Sequence, residues 1–241
     1  MRLLIIRHGD PDYAIDGLTE QGKIEAELLS ERLLKEDIKA VYCSTLGRAR
    51  LTAKPYLDKS GKTAEYCEWL REFNYTRVRV PYLDREKVAW DLMPEYVETL
   101  TDLYHPTLWK NVDFLQGTGV VEAHDNVCKE FDAILAAHGY VRDGYSYRAL
   151  NPSHDTVALV CHYGVTAILL AHIMNCSPYS VWQHGFTAPT AVTTVYTEER
   201  AEGIASLRIS AMGDVSHLYA AGEEASFSGR FCECFTDETR H

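Results

Sequence analysis

The sequence predicts an α/β fold, a doubly wound and mostly parallel sheet with helices on both faces. Three observations predict it. Short aliphatic or β-branched runs stand at residues 3–6, 39–43 and 156–161. A helix start follows each run, and strands that alternate with helices pair in parallel through their crossovers. The chain has 241 residues, 46% of them hydrophobic, which is enough for a sizeable core in one large domain or two small ones.

The elements read in order. Residues 3–6 are a short apolar run suited to a buried strand, and Thr19 can cap a helix that turns Ala26, Leu29 and Leu33 toward a core. Residues 39–43 form a second strand, followed by a helix capped by Ser44 or Thr45. From Val120 to His138 apolar residues recur at three- and four-residue spacing and stop at Gly139, an amphipathic helix with a glycine end. Residues 156–161 are a further strand and residues 164–174 an apolar helix. Residues 191–197 and 205–210 read as two closing strands around a polar turn at 198–203. Between Glu72 and Gly117 the alternation breaks in a stretch rich in aromatics, including Phe73, Trp90, Trp109 and Phe114, which reads as a helical insertion over the sheet. Those aromatics form either the insertion's own core or part of a substrate pocket. No repeat or linker divides the chain, so a single domain over 1–241 is expected, with the insertion at about 73–118 and a C-terminal tail at about 219–241.

Charge and composition exclude several functions. Asp and Glu outnumber Lys and Arg by 35 to 24, a net charge of −11 that opposes binding to a polyanion, so no nucleic acid partner is expected. No apolar run approaches a membrane span or a signal peptide's core, and the seven cysteines lack a spaced framework. A cytoplasmic protein with reduced thiols and no membrane partner is expected. Cys232, Cys234 and His241 could hold a metal, but no second pair completes a tetrahedral site, so none is expected.

Four clusters bear chemistry. Arg7-His8-Gly9 follows the first strand, and chance yields that ordered tripeptide only ~0.04 times in a chain of this composition. Ligands of open α/β sheets bind beyond the carboxyl ends of strands, which is where this tripeptide lies. In the run 44–53, Arg48 falls in the first turn of a helix, against the macrodipole, where an arginine beside free N–H groups makes a phosphate cradle. Its plainer reading is a surface arginine paired with a carboxylate. His162 follows the strand 156–161, so it shares a sheet edge with His8. Glu72 precedes the aromatic insertion, where a roofed carboxyl would have a raised pKa; taken alone it is ordinary surface charge.

Together these pieces resemble the histidine phosphatase superfamily, the phosphoglycerate mutase-like family, over most of the chain. Arg7-His8-Gly9 matches its RHG signature, and Leu18-Thr19-Glu20-Gln21-Gly22 is similar to its LTxxG helix start. The run 44–53 resembles SxLxRAxxTA, Leu70-Arg71-Glu72 the LxE element, His162-Tyr163-Gly164 the late HGG motif, and residues 213–218 the closing NDxSHL segment. The departures point to a branch. Asp10-Pro11-Asp12-Tyr13 lacks the serine and asparagine of the mutases, and their GWxD turn is missing. Position 11 is proline where phytase-like enzymes carry arginine, and His154-Asp155 precedes its strand instead of following it. What remains is a resemblance to the small cytoplasmic phosphatases.

The resemblance implies a fold with the insertion over the active site, and a metal-independent phosphatase without cofactors acting on a small phosphorylated substrate. His8 is the implied nucleophile, and Arg7, His8, Arg48 and His162 bind phosphate. Glu72 is the implied proton donor, with Asp10, Asp12 and Glu20 as nearby substitutes. Arg71, Arg77, Arg79, Arg142 and Arg148 could meet further negative charge on a substrate. A cysteine-dependent phosphatase fails on spacing, since only four residues separate Cys43 from Arg48. A mutase-like phosphotransferase and a non-catalytic phospho-ligand-binding member of the fold stay as alternatives.

Overall fold

The computed structural model describes residues 1–237. Eight strands build one sheet: β1 (Arg2–Arg7), β2 (Ile38–Ser44), β3 (Glu65–Cys67), β4 (Tyr140–Asp143), β5 (Ser146–Ala149), β6 (Thr156–Cys161), β7 (Val192–Ala201) and β8 (Ile204–Asp214). Their order is β3-β2-β6-β1-β7-β8-β5-β4. The pairs from β3 through β1 are parallel, and those from β1 through β4 are antiparallel. The main helices are α1 (Glu20–Leu33), α2 (Gly47–Ser60), α3 (Val120–Ala137) and α4 (Tyr163–Met174).

The sheet is covered on both faces, and the strands show why. Successive β1 residues point to opposite faces. Leu3 and Ile5 enter a core with Val157, Leu159, Phe131, Leu135 and Leu170, on the side of α3 and α4. Leu4 and Ile6 enter a second core with Leu29, Leu33, Ala49 and Ala53 of α1 and α2. Strands buried on both faces read as unbroken apolar runs, as β1 and β6 do. In their parallel register Ile5 pairs with Leu159 and Arg7 with Cys161, so the residues that leave the two strands, His8 and His162, emerge side by side.

Thr19 caps α1 as the sequence predicts, accepting from Gly22 N at 3.0 Å, and Gly139 follows α3 with φ +91°. Three local expectations are corrected. Neither Ser44 nor Thr45 caps α2: Leu46 is its N-cap and offers no side-chain acceptor. The insertion holds only one four-residue α-helix (Pro94–Val97), three 3-10 turns and a pair of two-residue strands. Pro81 and Pro106 interrupt it, since proline withholds the N–H that a helix interior needs, whereas Pro94 opens its one α-helix, where that N–H has no partner to lose. Its large side chains do not make a separate core either, because Phe73, Leu103 and Trp109 join the one beneath α4, and Trp109 and Phe114 pack on Tyr179. The hairpin β4–β5 is absent from the sequence reading. Its two-residue turn is Gly144-Tyr145, with φ +60° at Gly144, and a glycine at that first turn position between two strand-like runs is the signal that marks it.

Candidate active site

The carboxyl ends of β1 and β6 bring two imidazoles together, with ring centroids 4.9 Å apart and planes tilted by 54°. His8 Nδ1–H donates to its neighbour's carbonyl, Gly9 O, at 2.7 Å. That bond fixes the tautomer and leaves the Nε2 lone pair as the reactive position, which Arg48 Nε–H approaches at 3.4 Å. Burial, with Arg7 next in weight, holds His8 well below the ordinary imidazole pKa, so the ring is neutral. His162 is depressed the same way, by burial first and then by His8. Its Nε2 pairs with Ser44 Oγ at 2.8 Å. Its Nδ1 is buried and has no hydrogen-bond partner among the described residues.

Two arginines supply the charge. Arg7 is 4% exposed, donates from Nη1 to Thr187 O at 2.6 Å and Ser228 O at 3.1 Å, and keeps a buried Nε without a partner among the described residues. Arg48 is the second residue of α2 and 6% exposed, with Nη1 on Asp16 Oδ1 at 2.6 Å and its guanidinium 5.4 Å from the Tyr13 ring. Thr52 ties the helix to the loop, accepting from Gly9 N at 2.9 Å and donating to Arg48 O at 2.7 Å.

Glu72 joins this group from the start of the insertion. Its Oε1 accepts from Phe73 N at 2.8 Å and from Gly164 N, in the first turn of α4, at 2.9 Å. Gly164 permits that approach, because a Cβ there would stand 2.5 Å from Glu72 Oε1. Burial raises the Glu72 pKa against the lowering pull of these N–H groups and of both arginines. A buried carboxyl whose pKa is raised, beside a neutral histidine and two guanidinium groups, is placed to protonate a leaving group.

The structure thus brings His8, Arg7, Arg48, His162 and Glu72 together. The substitute acids are engaged elsewhere: Asp10 accepts from Thr19 Oγ1, Asp12 from Ala14 N, and Glu20 pairs with Lys23 in solvent. Of the five other arginines, Arg71 acts electrostatically on His162 while paired with Glu68 at 3.0 Å. Arg79 and Arg142 bond Glu86 and Tyr147 with Asn175, Arg148 stands 3.8 Å from Asp143 as a loose ion pair, and Arg77 is exposed on a two-residue strand. His217 of the closing segment holds Thr190 Oγ1 at 3.1 Å, and Thr190 N in turn donates to His8 O.

Asp16 and Ser228 also meet the two arginines, with no signal in the sequence to single them out. The same holds for Glu25, a buried carboxylate on α1 that accepts from Asp10 N at 2.8 Å and from Ser226 N in the tail at 3.3 Å. The tail therefore reaches the site, and Gly229 lies so close that a Cβ would be 2.9 Å from Arg7 Nη2. Among the described residues no group of three or more His, Cys, Asp or Glu could hold a metal, and no helix is long and apolar enough to cross a membrane. Cys232 and Cys234 lie in the tail, and His241 lies outside the described residues.

The sequence profile described as the histidine phosphatase superfamily (branch 1) matches residues 3–210. A Schizosaccharomyces pombe protein named a probable phosphatase is 26% identical over 237 residues, covering 90% of this chain and 95% of its own. Among solved structures, the phosphoserine phosphatase of Entamoeba histolytica in complex with 3-phosphoglyceric acid has a TM-score of 0.58 at 16% identity, over 90% of this chain and 98% of that one. A mycobacterial glucosyl-3-phosphoglycerate phosphatase has 0.60 at 19%, over 88% and 98%. The α-ribazole phosphatase of Shigella flexneri has 0.54 at 24%, over 87% and 95%. At these identities the structures share the fold.

Proposed function

The chain belongs to the histidine phosphatase superfamily (branch 1), and from that premise we propose that it hydrolyses a small phosphomonoester, without metal, through a phosphohistidine on His8. One observation carries the reading most directly. Beside the neutral His8, two buried polar atoms, Arg7 Nε and His162 Nδ1, are orphaned among the described residues, and a phosphoryl group offers the oxygens they lack.

The chemistry follows from the atoms. His8 Nε2 attacks phosphorus in line, the N–P bond forms as the ester P–O bond breaks, and Glu72 passes its proton to the departing oxygen. Arg7, Arg48 and His162 spread the charge of the transition state, in which loss of one donor typically costs about 10²–10³-fold. Water then attacks the phosphohistidine, Glu72 takes its proton, and the N–P bond breaks to release phosphate. The guanidinium groups supply the positive charge that a magnesium ion brings elsewhere.

The names of the relatives suggest the class of substrate, a compact phosphate ester, since they are phosphatases of phosphoserine, glucosyl-3-phosphoglycerate and α-ribazole phosphate esters. We read residues 1–241 as one domain. The seven free cysteines suit a reducing, cytoplasmic setting. The test is a panel of phosphomonoesters assayed for phosphate release in the presence of a chelator. Wild type should turn over at least one and yield an acid-labile, base-stable phosphate adduct, and His8→Ala should abolish both while remaining folded. Labelling on serine or cysteine overturns the reading, and phosphate passed to an acceptor in place of water marks the protein as a mutase-like phosphotransferase.

A further inference from the structure

We propose that Asp16 is the positioning residue for Arg48, an inference that rests on the phosphatase reading above. Arg48 stands where a cation is disfavoured, in the first turn of α2 at the positive end of the helix dipole. Asp16 answers the charge and the open helix end together. Its Oδ2 accepts from Gly47 N at 2.6 Å and its Oδ1 from Arg48 Nη1 at 2.6 Å. The carboxylate therefore caps, from the loop after β1, a helix whose own N-cap residue offers no side-chain acceptor.

The backbone is shaped for this contact. Asp16 has φ +47°, in the left-handed region that non-glycine residues seldom adopt. Its carbonyl oxygen lies 2.2 Å from where a Cβ on Gly47 would be, so only glycine lets the loop meet the helix start. The Tyr13 ring covers the guanidinium from the same loop.

Held at Nη1 and stacked under Tyr13, Arg48 directs Nε–H at the nucleophilic nitrogen of His8. As phosphorus arrives at Nε2, that N–H can turn to a phosphoryl oxygen while the bond to Asp16 keeps the group in place. Without the carboxylate the same arginine would swing away from the dipole. Charge and orientation should then separate in the kinetics. Removing a negative charge near the site favours a bound phosphate dianion, whereas a misplaced donor fails in the transition state.

Asp16→Asn separates the two effects, because asparagine tolerates the left-handed backbone and still offers an oxygen to Gly47 N–H. In the wild-type background it should lower kcat about 10²-fold, with KM unchanged or lower and Tm nearly unchanged. In an Arg48→Ala background it should change kcat less than about twofold, since the group it positions is gone. Equal losses in both backgrounds, wild-type kcat in Asp16→Asn, or a raised KM with kcat intact would overturn the proposal. An inactive wild type overturns the phosphatase reading and this inference with it, whereas an active wild type with an indifferent Asp16→Asn overturns this inference alone.

Discussion

Glu72 is one of 35 acidic residues when read along the chain, and its environment sets it apart. Both N–H contacts fall on Oε1, and burial lifts its pKa above the ordinary carboxyl value, so it holds a proton over a wider range of pH than a solvent-exposed glutamate. A general acid matters in proportion to how poor the leaving group is. Glu72→Gln should therefore lose roughly 10²–10⁴-fold on an alkyl phosphate and much less on p-nitrophenyl phosphate, whose phenolate departs unaided. Equal slowing of the two substrates would mean that Glu72 positions the substrate and does not protonate it. At Arg48 the two readings of the sequence merge: it is paired with a carboxylate, as a structural arginine would be, yet it is buried against His8.

At the scale of the element, the start of α4 does three jobs within three residues. His162 ends the extended backbone of β6, Tyr163 places its hydroxyl among the carbonyls of Val181, Trp182 and Gly185, nearest Gly185 O at 2.6 Å, and Gly164 offers its N–H to Glu72. Gly164→Ala would place a methyl 2.5 Å from Glu72 Oε1 and 2.9 Å from Trp90 Nε1. Both neighbours must give way, at a stability cost of about 1–3 kcal/mol. Displacement of the acid should slow alkyl phosphate turnover about 10²-fold and spare the aryl ester. Two-substrate kinetics beside a thermal melt check this, and equal loss on both esters would show that the clash disrupts the phosphate cradle as well.

Over the whole molecule, buried and half-buried histidines govern the response to acid. His8, His124, His138, His162 and His217 all titrate below the ordinary imidazole value, chiefly because burial disfavours the cation, and His217 falls to about 4. Between those depressed values and ~6.5 the unfolded chain binds protons that the fold refuses. The imidazole contribution to stability is therefore at its plateau above about pH 6.5 and falls as the pH drops below it. Glu25 and Glu72, raised by burial, act in the opposite sense, favouring the fold at low pH and losing that contribution as the pH rises through their values. Five imidazoles and the N-terminal amine of Met1, whose pKa burial also lowers, against two carboxyls predict a Tm that declines from pH 8 toward pH 5, most steeply below about 6.5. Calorimetry across that range tests it, and a Tm that holds or rises on acidification would refute it.

Local sequence specifies the α/β class, the buried strand at 3–6, the strand at 156–161, the α1 cap at Thr19, and the tripeptide Arg7-His8-Gly9 at a strand end. Each of these is written locally, in an apolar run, a capping residue or contiguous chemistry. Which carboxylate answers Arg48, what touches Arg7 and how the insertion packs depend on the assembled fold. Asp16 and Arg48 are 32 residues apart, and Ser228 is 221 from Arg7. Contacts of that kind, between a side chain and a distant loop or carbonyl, leave no period or spacing in the chain, because they exist only once the parallel register of β1 and β6 has brought the loops to one edge of the sheet.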